Sequence, residues 1–194
     1  MSPDAHLFWI TSRAAGSAAL ITASVSVAVG ILISTRRNGV TPLAELRPVH
    51  EALSLATLGL IAVHGLSLLG DRFMRPGLLG IALPFLGPYR PLWTAIGIVA
   101  GYGLAALGLS YYWRQAIGAA LWRRLHRFTA LFWLLGIVHT VGSGSDVAQP
   151  WFLLLTGCAV LPAAVLVGGR VTRGLAAALD LPRSQSPVHQ LPGD

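Results

Sequence analysis

Apolar residues gather into long runs separated by short segments that carry the arginines. Five runs approach the twenty or so residues that an α-helix needs to cross about 30 Å of hydrocarbon. They are Leu7–Ser34, Val49–Leu69, Leu92–Trp113, Ile117–Val141 and Trp151–Gly168. The cluster GLLGIALPFLGPY after Arg75 is too short and too rich in Pro and Gly to span, and reads as an interfacial loop. Pro162 is expected to kink the last span. Gly97 and Gly101 form a GxxxG in the third, a spacing that lets helices approach closely. The pattern predicts an all-α, polytopic membrane helical bundle of about five transmembrane helices over residues 1–170. Residues 171–194 read as a cytoplasmic tail. From Asp180 on, that tail holds Pro, Ser and Gln without an apolar period and is expected to be disordered.

Composition strengthens the membrane reading. Of 194 residues, 54% are hydrophobic and 11% charged, against about 25% charged in soluble domains. The mean hydropathy is +0.66. All 14 basic residues are Arg and the net charge is +7. No helix-turn-helix, zinc-finger or RNA-binding signature accompanies that charge, so nucleic acid is not the expected partner. Arg36, Arg37, Arg47, Arg114, Arg123, Arg124, Arg127, Arg170, Arg173 and Arg183 fall on one side of the predicted topology. Arg72, Arg75 and Arg90 fall on the other. The positive-inside rule then puts the N-terminus outside and the C-terminus in the cytoplasm, in a multi-pass protein of the cell's inner (plasma) membrane. The leader MSPDAH has no basic n-region and is not expected to act as a signal peptide. A single cysteine, Cys158, excludes an intramolecular disulfide and a cysteine-based zinc or iron–sulfur site.

Histidine placement carries the chemistry. His50 and His64 lie fourteen positions apart in the second run, and His126 and His139 thirteen apart in the fourth. At 1.5 Å per residue these are separations of about 21 and 19.5 Å. Both runs cross the membrane in the same direction, so His50 should meet His126 near the inner face and His64 should meet His139 near the outer one. Fourteen steps of about 100° leave His50 and His64 within ~40° of one another. Thirteen steps leave His126 and His139 about 140° apart, so the fourth helix must be bent or overwound, with Gly136 as a candidate position. An ionisable residue inside a membrane helix is expensive and usually functional. A zinc or copper site would need three or four ligands together. Two levels with two imidazoles each instead suit two stacked haems, and with no C-x-x-C-H the haems would be held by coordination alone.

The pairs H-x13-H (His50, His64) and H-x12-H (His126, His139) resemble those of the ferric reductase-like transmembrane family. That family includes NADPH oxidases, ferric reductases and the haem-binding membrane subunit of the bacterial methionine-sulfoxide reductase system. The likeness covers roughly residues 8–168. It implies that the four histidines ligate two b haems, or one if the chain corresponds to a smaller member. Oxidases and ferric reductases of this kind append flavin and nicotinamide domains. This sequence contains no G-x-G-x-x-G and no flavin domain. The resemblance therefore implies a membrane cytochrome b that receives single electrons from a cytoplasmic flavin reductase or a quinol. It would pass them to an extracytoplasmic redox partner. Direct reduction of ferric chelates or oxygen at the outer haem, and a haem sensor without turnover, are the alternatives.

Other residues join this picture. Arg13, two turns into the first run, would pair with a propionate of the outer haem or extend to the interface. Arg47, Arg124 and Arg127 would do the same at the inner haem or remain solvated. Glu51 would orient an imidazole or cap its helix. Phe132 and Trp133, midway between the histidine levels, would fill the gap between the haems or pack as core.

Overall fold

The structure, a computed structural model, describes residues 6–35 and 43–179. Arg36, Arg37 and Arg183 lie outside them, as does the tail from Asp180 on. Among the described residues the chain is all-helical, with no strand. Its helices are α1 (Leu7–Thr35), α2 (Leu43–Ser67), α3 (Gly77–Ala82), α4 (Pro91–Leu109), α5 (Arg114–Ile117), α6 (Ala119–His126), α7 (Thr129–Ser143) and α8 (Pro150–Leu179). Four helical segments are long and apolar enough to cross a membrane: Leu7–Thr35, Leu46–Gly70, Pro91–Ile117 and Pro150–Leu179. They correspond to the first, second, third and fifth predicted spans.

The fourth predicted span is two helices. α6 ends at His126, Arg127 and Phe128 form a turn, and α7 adds fifteen residues. Through the turn the amides bond three residues back rather than four: Phe128 N–H to the Leu125 carbonyl at 2.9 Å, and Leu131 N–H to that of Phe128 at 3.0 Å. Such bonds wind the chain at about 120° per residue instead of 100°. That recovers part of the ~140° by which an ideal helix would separate His126 from His139. The irregularity is therefore at Arg127–Phe128 and not at Gly136, which lies within regular α7.

α8 continues to Leu179, so the first nine positions of the expected tail are helical. Ala and Leu in GLAAAL are strong helix formers, and they carry the helix past the arginines at 170 and 173. The segment after Arg75 contains the one short helix α3 and a turn, with Leu78, Leu79 and Phe85 exposed.

The interior is made mostly of small residues, with Trp133 and Phe152 as its largest side chains. The buried positions of α1 are Ser12, Ala15, Ala19, Leu20, Ala23, Ser24, Ser26 and Ile31. Bulky aliphatics such as Leu55, Val63, Val99, Leu154 and Val165 are exposed. That distribution reverses a soluble bundle and fits a lipid environment, where close packing of small residues holds helices together. α1 is central. It runs antiparallel to α2, and its Ala23 joins Trp133 of α7 and Ala163 of α8 in the buried cluster. α4 and α7 interlock by seating rings on glycines: Phe132 lies against Gly103, and Trp93 against Gly142.

Candidate functional site

The fold brings His50, His64, His126 and His139 together two by two. His50 and His126 face each other with ring centroids 6.2 Å apart and planes crossed at 86°. His64 and His139 do the same at 6.1 Å and 74°. These are the partners expected from second and fourth runs that cross in the same direction. The two spacings, fourteen and thirteen, meet at common levels because of the tightened turn before α7.

Each imidazole is fixed from behind. The Nδ1–H of His64 donates to the main-chain carbonyl of Ser12 at 2.8 Å. That of His50 donates to the carbonyl of Ser26 at 3.0 Å, and that of His139 to the carbonyl of Trp93 at 2.8 Å. The fourth, His126, reaches the carbonyl of Leu107 at 3.4 Å. A carbonyl oxygen only accepts, so these contacts assign the hydrogen to Nδ1, which in the neutral ring leaves the lone pair on Nε2. Histidines that ligate metals are held in this way, with the second nitrogen donating to a carbonyl or carboxylate.

Spacing agrees with that role. Two imidazole nitrogens on opposite sides of one metal, each about 2 Å from it, put the ring centres about 6 Å apart. Both observed pairs have that separation. Among the described residues no three of His, Cys, Asp and Glu gather into one group, which disfavours the tetrahedral zinc arrangement. A metal that brings its own equatorial ligands, as haem iron does, needs just two axial imidazoles. The ring spacing of both pairs fits that requirement.

Serine hydroxyls complete the support. Ser12 Oγ lies 3.0 Å from His64 Nδ1 and donates to the His64 carbonyl at 3.0 Å. Ser26 Oγ lies 3.1 Å from His50 Nδ1 and 2.9 Å from Ser54 Oγ, and Ser54 donates to the His50 carbonyl at 2.7 Å. Sequence reasoning missed both serines. The signal was present: Ser12-Arg-Ala-Ala-Gly16 and Ser26-Val-Ala-Val-Gly30 repeat S-x3-G at an interval of fourteen, the spacing of His50 and His64 on α2. His126 has a different support, stacking on Trp122 at 4.9 Å, whose indole N–H donates to Ser110 Oγ at 3.2 Å.

The remaining expected site residues scatter. Arg13 forms an ion pair with Asp146 in the α7–α8 connection, through both Nε and Nη2, and its guanidinium lies 4.1 Å from the Trp9 ring centre. Its charge is thus matched by a carboxylate from the protein itself. Glu51 accepts from the Tyr112 hydroxyl at 3.0 Å instead of orienting His50. Arg47, Arg124 and Arg127 are exposed. Phe132 and Trp133 turn to different neighbours. Phe132 packs on α4, whereas Trp133 is core, 1% exposed, with its indole N–H on Ser24 Oγ at 2.9 Å. Gly97 faces His139, while Gly101 faces Ile61 of α2.

The ion pair makes a first prediction. The side chains of Arg13 and Asp146 are 32% and 13% exposed, between a surface pair and a buried one. A double-mutant cycle with Arg13→Leu and Asp146→Asn, read from unfolding in detergent, should give a coupling of about 1–2 kcal/mol. Additive single effects would show that the pair contributes nothing.

No protein-family model, curated protein or solved structure matches the chain.

Proposed function

We propose that the protein is a membrane cytochrome b of the ferric reductase-like kind. It would bind two b haems, one between His50 and His126 and one between His64 and His139. It would pass single electrons from a cytoplasmic donor to an extracytoplasmic acceptor, as the haem subunit of a reductase system. The observation that carries this reading is the double occurrence of one arrangement: two imidazoles about 6 Å apart, each with Nδ1–H tied to a carbonyl. One such pair could be polar packing. Two pairs, set fourteen residues apart along α2, support a stacked redox site. Haem bound there supplies reversible one-electron chemistry.

The chain's own residues bind and orient. Serines and carbonyls of α1, with carbonyls of α4, hold the rings in one tautomer and one direction. Bulky aliphatics on the outer faces keep the segments in lipid, and the arginine asymmetry supports a cytoplasmic C-terminus. A flavin reductase or a quinol on the arginine-rich side is the donor class that this reading calls for, with a redox partner on the other side.

Purified protein should contain about two non-covalent b haems with low-spin, bis-imidazole spectra. A pyridine haemochrome assay checks the number. Absence of haem from protein produced with ample haem supply would overturn the reading, and one haem per chain would remove one pair from it.

A further inference from the structure

A carbonyl inside a helix already accepts the amide of the residue four positions on, but its oxygen has a second lone pair. Reaching that lone pair from the side is difficult. The Cα–Cβ bond of every helical residue tilts towards the N-terminus, so the Cβ at i+4 covers the flank of carbonyl i.

Three of the four imidazoles solve this in the same way. His64 bonds the carbonyl of Ser12, and four residues on is Gly16. His50 bonds that of Ser26, and four residues on is Gly30. His139 bonds that of Trp93, and four residues on is Gly97. In each case the ring crowds the space a Cβ would take. A Cβ on Gly16 would lie 2.9 Å from His64 Nδ1, and one on Gly30 would lie 3.0 Å from His50 Cε1. One on Gly97 would overlap the His139 ring itself. The exception fits the rule. His126 addresses the carbonyl of Leu107, four residues on is Tyr111, and its bond is the longest of the four at 3.4 Å.

We propose that Gly16, Gly30 and Gly97 are positioning residues: gaps in the helix wall through which a haem-ligating imidazole docks on a main-chain carbonyl, which sets its tautomer and its strength as a donor to iron. The inference rests on the haem reading above and adds three residues on two further helices to it. It also reassigns Gly97, whose pairing with Gly101 otherwise reads as helix packing. A firm Nδ1–H···O=C bond makes an imidazole more basic and a better ligand. Loosening that bond favours ferrous over ferric iron and raises the midpoint potential.

Full-length variants in detergent test this. Gly97→Ala should lose the His64–His139 site, halving the haem content, and should match His139→Ala. Gly16→Ala forces the His64 ring to shift aside, but crowds it less than Gly97→Ala crowds His139. It should keep both haems and shift one midpoint potential upwards, and it stands as the test if Gly97→Ala does not fold. Gly101→Ala, where a Cβ would meet Ile61 at an ordinary 3.4 Å, should leave both sites unchanged. Wild-type content and potentials in Gly97→Ala and Gly16→Ala would overturn the inference. So would a site loss in Gly101→Ala equal to that in Gly97→Ala, since helix packing alone would then explain both. A second readout needs no haem. In haem-free protein labelled with 15N-histidine, His139 should show the Nδ1–H tautomer, and Gly97→Ala should abolish that signature. A wild type that takes up no haem even under ample supply, yet shows an intact tautomer signature, would end the haem reading and keep the docking gap. A haem-loaded wild type with an unresponsive tautomer would do the reverse.

Discussion

Replacing His64 by alanine is expected to remove one haem per chain and leave the His50–His126 spectrum nearly unchanged. The rings of His64 and His139 are 6.1 Å apart and belong to different helices. Deleting either leaves a single axial imidazole, and the low-spin signal of that site should vanish. Altering a residue that merely supports a ligand costs about 10–100-fold in metal affinity, so deleting a ligand should exceed that. His139→Ala should give the same phenotype. His50→Ala and His126→Ala should share the opposite one, because their rings form the other pair. Redox titration followed by optical spectroscopy separates the two sites. If His64→Ala and His126→Ala removed the same haem, the pairing would be wrong.

Trp133→Ala should be the most damaging change away from the histidines. The side chain is 1% exposed and forms a buried cluster with Ala23 of α1 and Ala163 of α8, against which Val27, Ala28, Ile137, Val160 and Val167 pack. These neighbours are small or branched and belong to three helices, so they cannot collapse far into the space left. Cavities of this kind cost about 3–5 kcal/mol. Burial in a membrane bundle does not weaken the argument, since packing is the main attraction between helices there. Trp133→Phe separates the contributions. It keeps most of the volume and loses the indole bond to Ser24, whose hydroxyl still donates to the Leu20 carbonyl at 2.7 Å. It should therefore cost about 1 kcal/mol. Equal unfolding midpoints in denaturing detergent for Trp133→Ala and the parent chain would remove Trp133 from the core.

The histidine partners were legible because helix rise converts sequence spacing into depth without knowledge of side-chain packing. Four of the five spans were legible for a related reason: twenty apolar residues in a row have few alternatives. The break before α7 was not. RLHRFTALF holds neither Gly nor Pro, and the tighter turn at Arg127–Phe128 follows from what His126 and His139 must each face on α2. The partner of Arg13 was hidden as well, because Asp146 sits in a connection without period. Ser12 and Ser26 were overlooked since single small polar residues are common in membrane helices. Only their shared interval with the histidines distinguishes them. Trp133 shows the opposite failure: its depth was readable, but the direction of its ring depended on α1 and α8.

The matched intervals on α1 and α2 behave as a caliper. Losing or inserting one residue between Ser12 and Ser26 would turn one serine about 100° from its histidine while the other kept its partner. A compensating change on α2 would have to be of the same length and fall between His50 and His64. The gap between the two sites is thus a property of backbone length, about four helical turns, and is out of reach of substitutions on the outer surface. Drift of the lipid-facing residues can alter how the bundle sits in its bilayer. It leaves the distance an electron would have to cross where the two helices set it.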